Sequence, residues 1–282
     1  MIRKLKFSGS HYEIGLQIGE TQKNESGYPP QYPEEILRKS KPFEEQIRLH
    51  APGFLDEFRG IADRLEIDCR IPLTLEATPF RFQTSSCFVM AISGEHTKSG
   101  KPVLARPHEW MEEDSKNLRL CYIEPDGKLS SLGFTFHWPL VSRYGGINET
   151  GLALSSTSAT FNFSGPGIML NLATRWVLDT CRTTQEAVAY LESMPKVWGE
   201  TYVVIDKENT IAKVEAHRIK TKVTYTERGF DFNSLLYDSP EMEKYQSQED
   251  LDRCLEFSST RWEFMDMWFL QYKGNISAFK KT

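Results

Sequence analysis

The sequence lacks the short motifs that mark several large enzyme classes. It has no Gly-x-Ser-x-Gly elbow, no His-Glu-x-x-His zinc motif, no Walker loop and no Gly-x-Gly-x-x-Gly fingerprint. A Ser-x-x-Lys pattern at residues 193–196 contains Pro195, which breaks the continuous helical turn that this motif requires. The six histidines do not pair with cysteines at ligand spacings, so we expect neither a metal nor a cofactor.

Basic excess, long apolar runs and paired cysteines are also missing. The formal net charge of −5 argues against a nucleic-acid partner. No window approaches 18 uncharged apolar residues, and the basic residues near the N-terminus precede no apolar run, so neither a membrane span nor a secretory signal is expected. The five cysteines are scattered without a Cys-x-x-Cys pair, which favours reduced thiols in a cytoplasmic protein.

The N-terminal part of the chain has mostly helical patterns. Residues 1–86 contain a capping box at Ser10 and Glu13, a predicted helix over 34–50 and another that Pro52 opens. Two glycines interrupt the first helix, and close packing is the expected compensation for their low helix propensity. Residues 71–86 read as irregular.

From Cys87 onward the pattern changes to strands separated by short turns. Helices follow near 168–181 and 184–193, then further strands and a last helix near 248–272, so the order of elements favours one α+β domain over residues 1–282. The predicted strands are 87–93, 102–106, 118–124, 129–136, 141–147, 151–158, 201–206, 210–217 and 221–226.

Cys87 stands where a Ser/Thr-rich turn passes into a predicted strand. An antiparallel hairpin turning at residues 97–101 would return Arg106 and Glu109 to the Cys87 end, and a guanidinium beside a thiol favours the thiolate. Composition alone favours a buried structural cysteine. A papain-like dyad with His108 or His137 is a further alternative, although nothing in the sequence holds a histidine opposite the thiol.

Three segments in this order resemble the choloylglycine hydrolase and acyl-coenzyme A:isopenicillin N acyltransferase group of N-terminal-nucleophile hydrolases. Residues 7–15 are similar to the opening of its acyltransferase-like branch. Residues 87–100 are similar to the start of the mature chain, and 146–153 match a Gly-x-Asn-Glu-x-Gly-Leu segment. The resemblance extends over roughly residues 7–275.

The resemblance implies a four-layer αββα sandwich of antiparallel sheets, made as a precursor. Self-cleavage between Ser86 and Cys87 would give an α chain of residues 1–86 and a catalytic β chain of residues 87–282. Cys87 would then be the nucleophile, and its freed α-amine, with a reference pKa of about 7.7–8.0, would be the base.

Four further catalytic positions are carried over by the resemblance. Arg106 matches an arginine that closes the strand after the nucleophile, and Arg261 matches a late arginine that orients it. Glu109 stands where the family has aspartate, and Pro107 where it has asparagine, so the carboxylate is offset by a methylene. Asn233 resembles an asparagine whose amide helps to hold the oxyanion, a contribution of about 3 kcal/mol for one such donor.

Other residues are candidates for contacts to the substrate. Ser158 falls where the bile-salt branch has a second oxyanion asparagine. Asn148 most simply organises the turn between two strands, with substrate contact as its alternative role. An apolar acyl pocket or ordinary core packing would each explain the aromatic residues that follow Cys87, which are Trp110, Phe134, Phe136, Trp138, Phe161 and Phe163.

The resemblance therefore implies an amidohydrolase or acyltransferase acting on linear amide C–N bonds of a small N-acylated substrate. Acyl-coenzyme A as a partner and assembly into a homo-oligomer stay open. The main alternative is a catalytically silent member that only binds a ligand or partner, which the departures at Pro107, Glu109 and Ser158 favour. The chain also stops at Thr282, where relatives continue with further strands, so a natural short form and a fragment are both considered.

Overall fold

The computed structural model of the protein describes most of the chain up to residue 231. The described residues are 2–25, 27–81, 86–109, 116–136, 138, 140–159, 163–226 and 228–231. The predicted helix over 248–272 lies outside them.

An eight-stranded sheet forms the centre of the described structure. Its strands, in spatial order, are β1 (Arg3–Gly9), β6 (Leu118–Pro125), β7 (Ser131–Phe136), β8 (Gly145–Asn148), β9 (Ala153–Ser158), β10 (Glu200–Ile205), β11 (Ile211–Ala216) and β12 (Thr221–Thr226). From β6 to β12 all neighbours are antiparallel, whereas β1 pairs with β6 in parallel. Strands are therefore present, as predicted, in the segments 118–158 and 200–226, and the largest difference in bounds, over 141–147, is described below.

Two smaller sheets carry the segment around Cys87. One has the order β13 (Arg228–Asp231), β3 (Val89–Ile92) and β4 (Val103–Ala105), and the other pairs β2 (Ser86–Cys87) with β5 (His108–Glu109). Both are antiparallel. A short 3₁₀ turn at Gly94–His96 lies between β3 and β4, so the predicted hairpin is present.

Seven helices are present among the described residues: α1 (His11–Gln22), α2 (Glu34–Lys39), α3 (Lys41–His50), α4 (Gly53–Leu65), α5 (Arg70–Ala77), α6 (Leu170–Thr180) and α7 (Thr184–Ser193). The capping box predicted at the start of α1 is formed, since Ser10 accepts from the Glu13 amide and the Glu13 carboxylate accepts from the Ser10 amide. Thr183 caps α7 by accepting from the amide of Glu186.

Glycines let α1 and α4 approach backbone to backbone. A Cβ placed on Gly15 would lie 2.2 Å from the carbonyl oxygen of Glu57, and one on Gly60 would lie 2.3 Å from that of Tyr12. No side chain fits at such distances. The close packing predicted for the first helix is thus confirmed at Gly15.

The two faces of the large sheet pack against different layers. Leu154, Tyr202 and Val204 belong to the main core shared with the helices. The residues that alternate with them, Ala153, Val203 and Ile205, pack against Val89 and Ala91 of the small sheet, with Leu104 at the margin. Helices, large sheet and small sheet therefore form successive layers, and the predicted α+β sandwich is confirmed.

Four local predictions are wrong. Residues 3–9 form strand β1 inside the segment predicted to be mostly helical, and residues 70–77 form α5 where irregular structure was expected. The helix predicted over 34–50 is two helices that meet at Ser40. The strand predicted over 141–147 is confined to 145–148 because Arg143 uses its guanidinium to bind the carbonyls of Leu140, Val141 and Ser142 in a non-strand turn.

Candidate active site

Cys87 is held in a short ladder that brings the end of the hairpin back to it. Cys87 lies opposite His108 and Ser86 lies opposite Glu109 in the β2–β5 pair. The Cys87 side chain is buried, with 2% of its surface exposed. The predicted return of the hairpin to the Cys87 end is therefore observed.

Arg106 contacts the thiol directly. Its Nη2 donates to Cys87 Sγ at 3.2 Å, and its Nε donates to the backbone carbonyl of Ser156 at 3.2 Å. The guanidinium also lies over two rings, 5.4 Å from the centroid of Phe134 and 5.6 Å from that of Tyr144. These contacts orient the guanidinium relative to the sulfur.

This arrangement supplies charge as well as geometry. Burial lowers the pKa of the Arg106 guanidinium from its ordinary value, while the Cys87 thiol and the Tyr144 phenol act in the opposite direction. Arginine keeps its charge in proteins at neutral pH because its ordinary pKa is about 12.5 or higher. A permanent cation that donates to sulfur is the environment in which a cysteine acts as a thiolate nucleophile.

A largely apolar cleft begins beside Arg106. It has a volume of about 660 Å³ and lies between strand β4 and the face of strands β6 to β9 that carries Leu132 and Ile147. Apolar side chains dominate its described lining, which includes Leu104, Leu120, Leu132, Phe134, Ile147, Ala153 and Ile205. Leu132 and Ile147, which face each other in the β7–β8 register, are 40% and 46% exposed. Such a cleft suits an apolar group on a substrate.

Glycines in β8 make room for the cleft. A Cβ on Gly145 would lie 2.7 Å from Ser155 Oγ and 3.1 Å from the Phe134 ring. Both residues line the cleft, so a side chain at Gly145 would displace its wall next to Arg106. A pair of glycines within a strand is the sequence signal for a close approach of this kind.

The other predicted site residues lie at different places. Glu109 is beside the Ser86–Cys87 bond through its backbone pairing. Ser158 is buried at the end of β9, opposite Glu200 of β10. It alternates with Thr157 and so shares the sheet face of Ser156, whose hydroxyl contacts Thr174 of α6. Trp110, Asn233 and Arg261 lie outside the described residues.

Asn148 uses its whole side-chain amide in the turn after β8. Its Nδ2 donates to the carbonyls of Leu178 at 3.0 Å and Cys181 at 2.7 Å. Its Oδ1 accepts from the amides of Thr150 and Leu152 and from the Thr150 hydroxyl. These contacts give Asn148 the turn-organising role that was its simpler interpretation.

The aromatic residues for which an acyl pocket and core packing were both considered have different surroundings in the structure. Phe134 lines the cleft, whereas Phe136 packs edge-on to Tyr144, Trp138 on Tyr28 and Phe163 on Phe43. Sequence reasoning missed Tyr144 and the Ser156 carbonyl as contacts of Arg106. Neither residue belongs to a recognisable sequence motif. Both reach Arg106 through the pairing of strands that are distant from it in sequence.

Comparison with known proteins identifies the family to which the chain belongs. The family model described as acyl-coenzyme A:6-aminopenicillanic acid acyl-transferase matches residues 96–279. Because that match extends over well over half of the chain, the protein belongs to this family, and the resemblance stated from its motifs is confirmed. The match begins after Cys87 and so does not itself include the thiol. No curated protein matches the chain.

Several solved structures are similar at low sequence identity. A variant of the conjugated bile acid hydrolase from Clostridium perfringens has 19% identity and a TM-score of 0.41, with 54% of this chain and 55% of that chain covered. Penicillin V acylase from Agrobacterium tumefaciens has 20% identity and a TM-score of 0.30, with 56% and 47% covered. The chain thus spans about half the length of these two proteins.

A third similar structure is the Caenorhabditis elegans ortholog of N-acylethanolamine-hydrolyzing acid amidase. It has 13% identity and a TM-score of 0.41, with 60% of this chain and 85% of that chain covered. Separately, the helices in the described part of this chain are all too short or too polar to cross a bilayer.

Proposed function

We propose that the protein is a cysteine-nucleophile amidohydrolase or acyltransferase that acts on linear amide C–N bonds of small N-acylated substrates. The observation that carries the proposal is the 3.2 Å hydrogen bond from Arg106 to Cys87 Sγ at the entrance of an apolar cleft. Family membership supports it, because the matched family is described as an acyltransferase.

The proposal includes activation by self-cleavage. The Cys87 thiolate attacks the carbonyl carbon of Ser86, and the peptide C–N bond breaks as its nitrogen takes up a proton and becomes the α-amine of Cys87. Water then hydrolyses the resulting thioester and leaves a carboxylate on Ser86. Self-cleavage thereby creates the base of the later reaction, since an α-amine titrates near neutral pH.

Turnover then proceeds through a second thioester. The α-amine takes the proton of the thiol, the sulfur attacks the acyl carbon, and the amine of the substrate leaves with a proton. Water completes a hydrolysis and a second amine completes a transfer, so one covalent intermediate serves both outcomes. Glu109, Asn233 and Arg261 keep their proposed roles of orienting the amine, holding the oxyanion and orienting the nucleophile.

The two segments would stay together after cleavage. Strand β1 pairs with β6 along its whole length, and the Glu76 carboxylate accepts from the amides of Val141 and Ser142 at 2.8 and 3.2 Å. Both contacts join residues 1–86 to the remainder of the chain. Acyl-coenzyme A as acyl donor and assembly into a homo-oligomer remain parts of the proposal. The free state of Cys69, Cys87, Cys121 and Cys181 supports a reducing compartment such as the cytoplasm.

A panel of N-acyl amides tests the activity. Wild type should release amine from at least one of N-acyl amino acids, penicillins or bile-salt conjugates. Cys87→Ala should reduce kcat/KM by at least ~10³-fold, as expected when a nucleophile is removed. Cys69→Ala is the matched control, because Cys69 is exposed and lies away from the cleft, and it should retain wild-type activity.

Two results would overturn the proposal. Equal activity in wild type and Cys87→Ala would exclude Cys87 as nucleophile. A folded wild-type protein that binds members of the panel but releases no amine would instead support the catalytically silent alternative.

A further inference from the structure

The cleft that begins at Arg106 ends between two lysines. Phe134, Gly145 and Ser155 lie in one row across β7, β8 and β9, beside Arg106. Two residues further along the strands, a second row contains Leu132, Ile147, Ala153 and Ile205. At about 3.4 Å per residue, the rows are separated by roughly 7 Å.

Lys101 and Lys207 line the cleft beyond the second row. Lys207 follows Ile205 by two residues, and a Cβ on Gly151 would lie 3.1 Å from the Cβ of Lys207. Lys101 precedes Arg106 by five residues on the segment that contains β4, which corresponds to an extended length of roughly 16 Å. The thiol and the lysines therefore mark opposite ends of one apolar channel.

The charge of the cleft is opposite to that of the whole protein. Its described lining contains Lys101, Arg106 and Lys207 and no carboxylate, whereas the chain has a net charge of −5. Both lysines are exposed. In the part of the chain that the structure describes, neither ammonium group forms an ion pair, unlike Arg106, which binds Cys87 and the Ser156 carbonyl.

We infer that the site takes N-acyl substrates whose acyl group is a linear apolar chain ending in a carboxylate. This inference rests on the proposed function, since it assumes that the acyl carbon reacts at Cys87. The chain would lie along the two apolar rows, and the distal carboxylate would reach Lys101 and Lys207. The two apolar rows favour the acyl chain as the occupant, because an apolar lining suits an alkyl chain between the thiol and the lysines.

Matched anilides test the inference. The substrates are monoanilides of succinic, adipic, suberic and sebacic acids, each compared with the uncharged anilide of equal chain length. We expect wild type to prefer the longer acids, with kcat/KM about 10-fold above that of the uncharged partner at low salt. High salt should shrink this preference, because exposed charges are screened.

Substitution of the lysines isolates their contribution. The double variant Lys101→Met and Lys207→Met should lose most of the preference for the carboxylate and keep the turnover of octananilide. The control combines Lys98→Met and Lys222→Met, two exposed lysines outside the cleft lining, and should behave as wild type. An unchanged preference in the first double variant, or a wild-type preference for the uncharged anilide, would overturn the inference.

Binding separates this inference from the proposed function. In the background of Cys87→Ala, calorimetry with the suberic monoanilide and with octananilide measures affinity without turnover. Tighter binding of the acid that depends on Lys101 and Lys207 supports the inference even if no anilide is hydrolysed. Equal affinities contradict it even if the protein is an active amidase.

Discussion

On the helical face of the eight-stranded sheet, Arg175 is fully buried and all three of its guanidinium nitrogens donate to protein acceptors. Nε donates to both oxygens of Asp179 at 2.8 and 2.9 Å, Nη1 to the Val141 carbonyl at 3.0 Å and Nη2 to Glu57 Oε1 at 3.1 Å. On the opposite face, Arg106 is only partly buried and gives one donor to a thiol.

The charge cluster around Arg175 stabilises the fold, whereas the one around Arg106 borders the candidate active site. His11 Nδ1 lies 2.7 Å from Glu57 Oε1, so Glu57 has two basic neighbours. Burial acts to raise the pKa of Glu57, but Arg175, His11 and Arg143 together hold it below its ordinary value. Arg175 thus has each guanidinium nitrogen bound within the protein, whereas the Arg106 face combines a buried thiol, an apolar cleft and two exposed lysines.

The largest expected effect comes from breaking the closed network. Arg175→Met should lower the free energy of unfolding by about 3–5 kcal/mol, because it leaves Asp179 buried without its ion-pair partner and Glu57 with His11 as its remaining one. Denaturant unfolding at pH 7 measures the change. Arg48→Met is the control, since its pair with Glu44 is exposed and worth at most ~0.5 kcal/mol. A loss below 1 kcal/mol for Arg175→Met would show that the network is not what distinguishes this face.

The second effect comes from the cation on the open face. Arg106→Lys should reduce kcat by about 10²-fold, because an ammonium cannot hold the Ser156 carbonyl and the thiol with the same planar geometry. Stability should change far less than for Arg175→Met. The rate of Cys87 alkylation by iodoacetamide, followed against pH, provides a readout of the thiol itself. An unchanged alkylation profile together with unchanged kcat would contradict the role given to Arg106.

A smaller effect concerns a buried carboxyl on the helical face. Burial raises the pKa of Glu200 to about 8, against the opposing effects of the Tyr202 hydroxyl, which donates to Glu200 Oε2 at 2.5 Å, and of Lys196. The unfolded carboxyl loses its proton near pH 4.5. Between these values the folded state binds more protons, so stability falls as pH rises, with a slope of at most about 1.4 kcal/mol per pH unit.

Glu200→Gln should remove this slope, because the amide keeps an acceptor for Tyr202 and cannot ionise. The variant is expected to match wild type near pH 5 and to exceed its stability by on the order of 1 kcal/mol near pH 7. Burial also lowers the pKa of Lys196 to about 8, so comparisons should stay below that pH. Parallel pH profiles for the two proteins would contradict the predicted burial cost at Glu200.

The elements that were predicted correctly are those that local sequence signals mark. The helix predicted at 184–193 and the strand predicted at 221–226 have the observed bounds, because a threonine cap and alternating residues mark them. The hairpin that joins Cys87 to Arg106 was also predictable from turn residues. Strand β1 was missed because its partner β6 lies more than a hundred residues away, and parallel pairing leaves no turn signal.

The sequence could not distinguish the two arginine environments. Arg175 and Asp179 are visible as an i,i+4 pair, but the same spacing occurs in the exposed pair of Arg48 and Glu44. Burial depends on α4 bringing Glu57 against α6, a long-range contact. The two lysines of the cleft could not be predicted from the sequence either, because Lys101 and Lys207 are far apart in the chain and line one cleft only in the folded protein.

The most direct test of the account is the mass and N-terminal sequence of the purified protein. Self-cleavage at Ser86–Cys87 predicts two chains, one of which begins at Cys87, and a single uncut chain for Cys87→Ala. A wild-type protein that stays uncut between Ser86 and Cys87 while it hydrolyses amides would contradict the claim that the α-amine of Cys87 is the base.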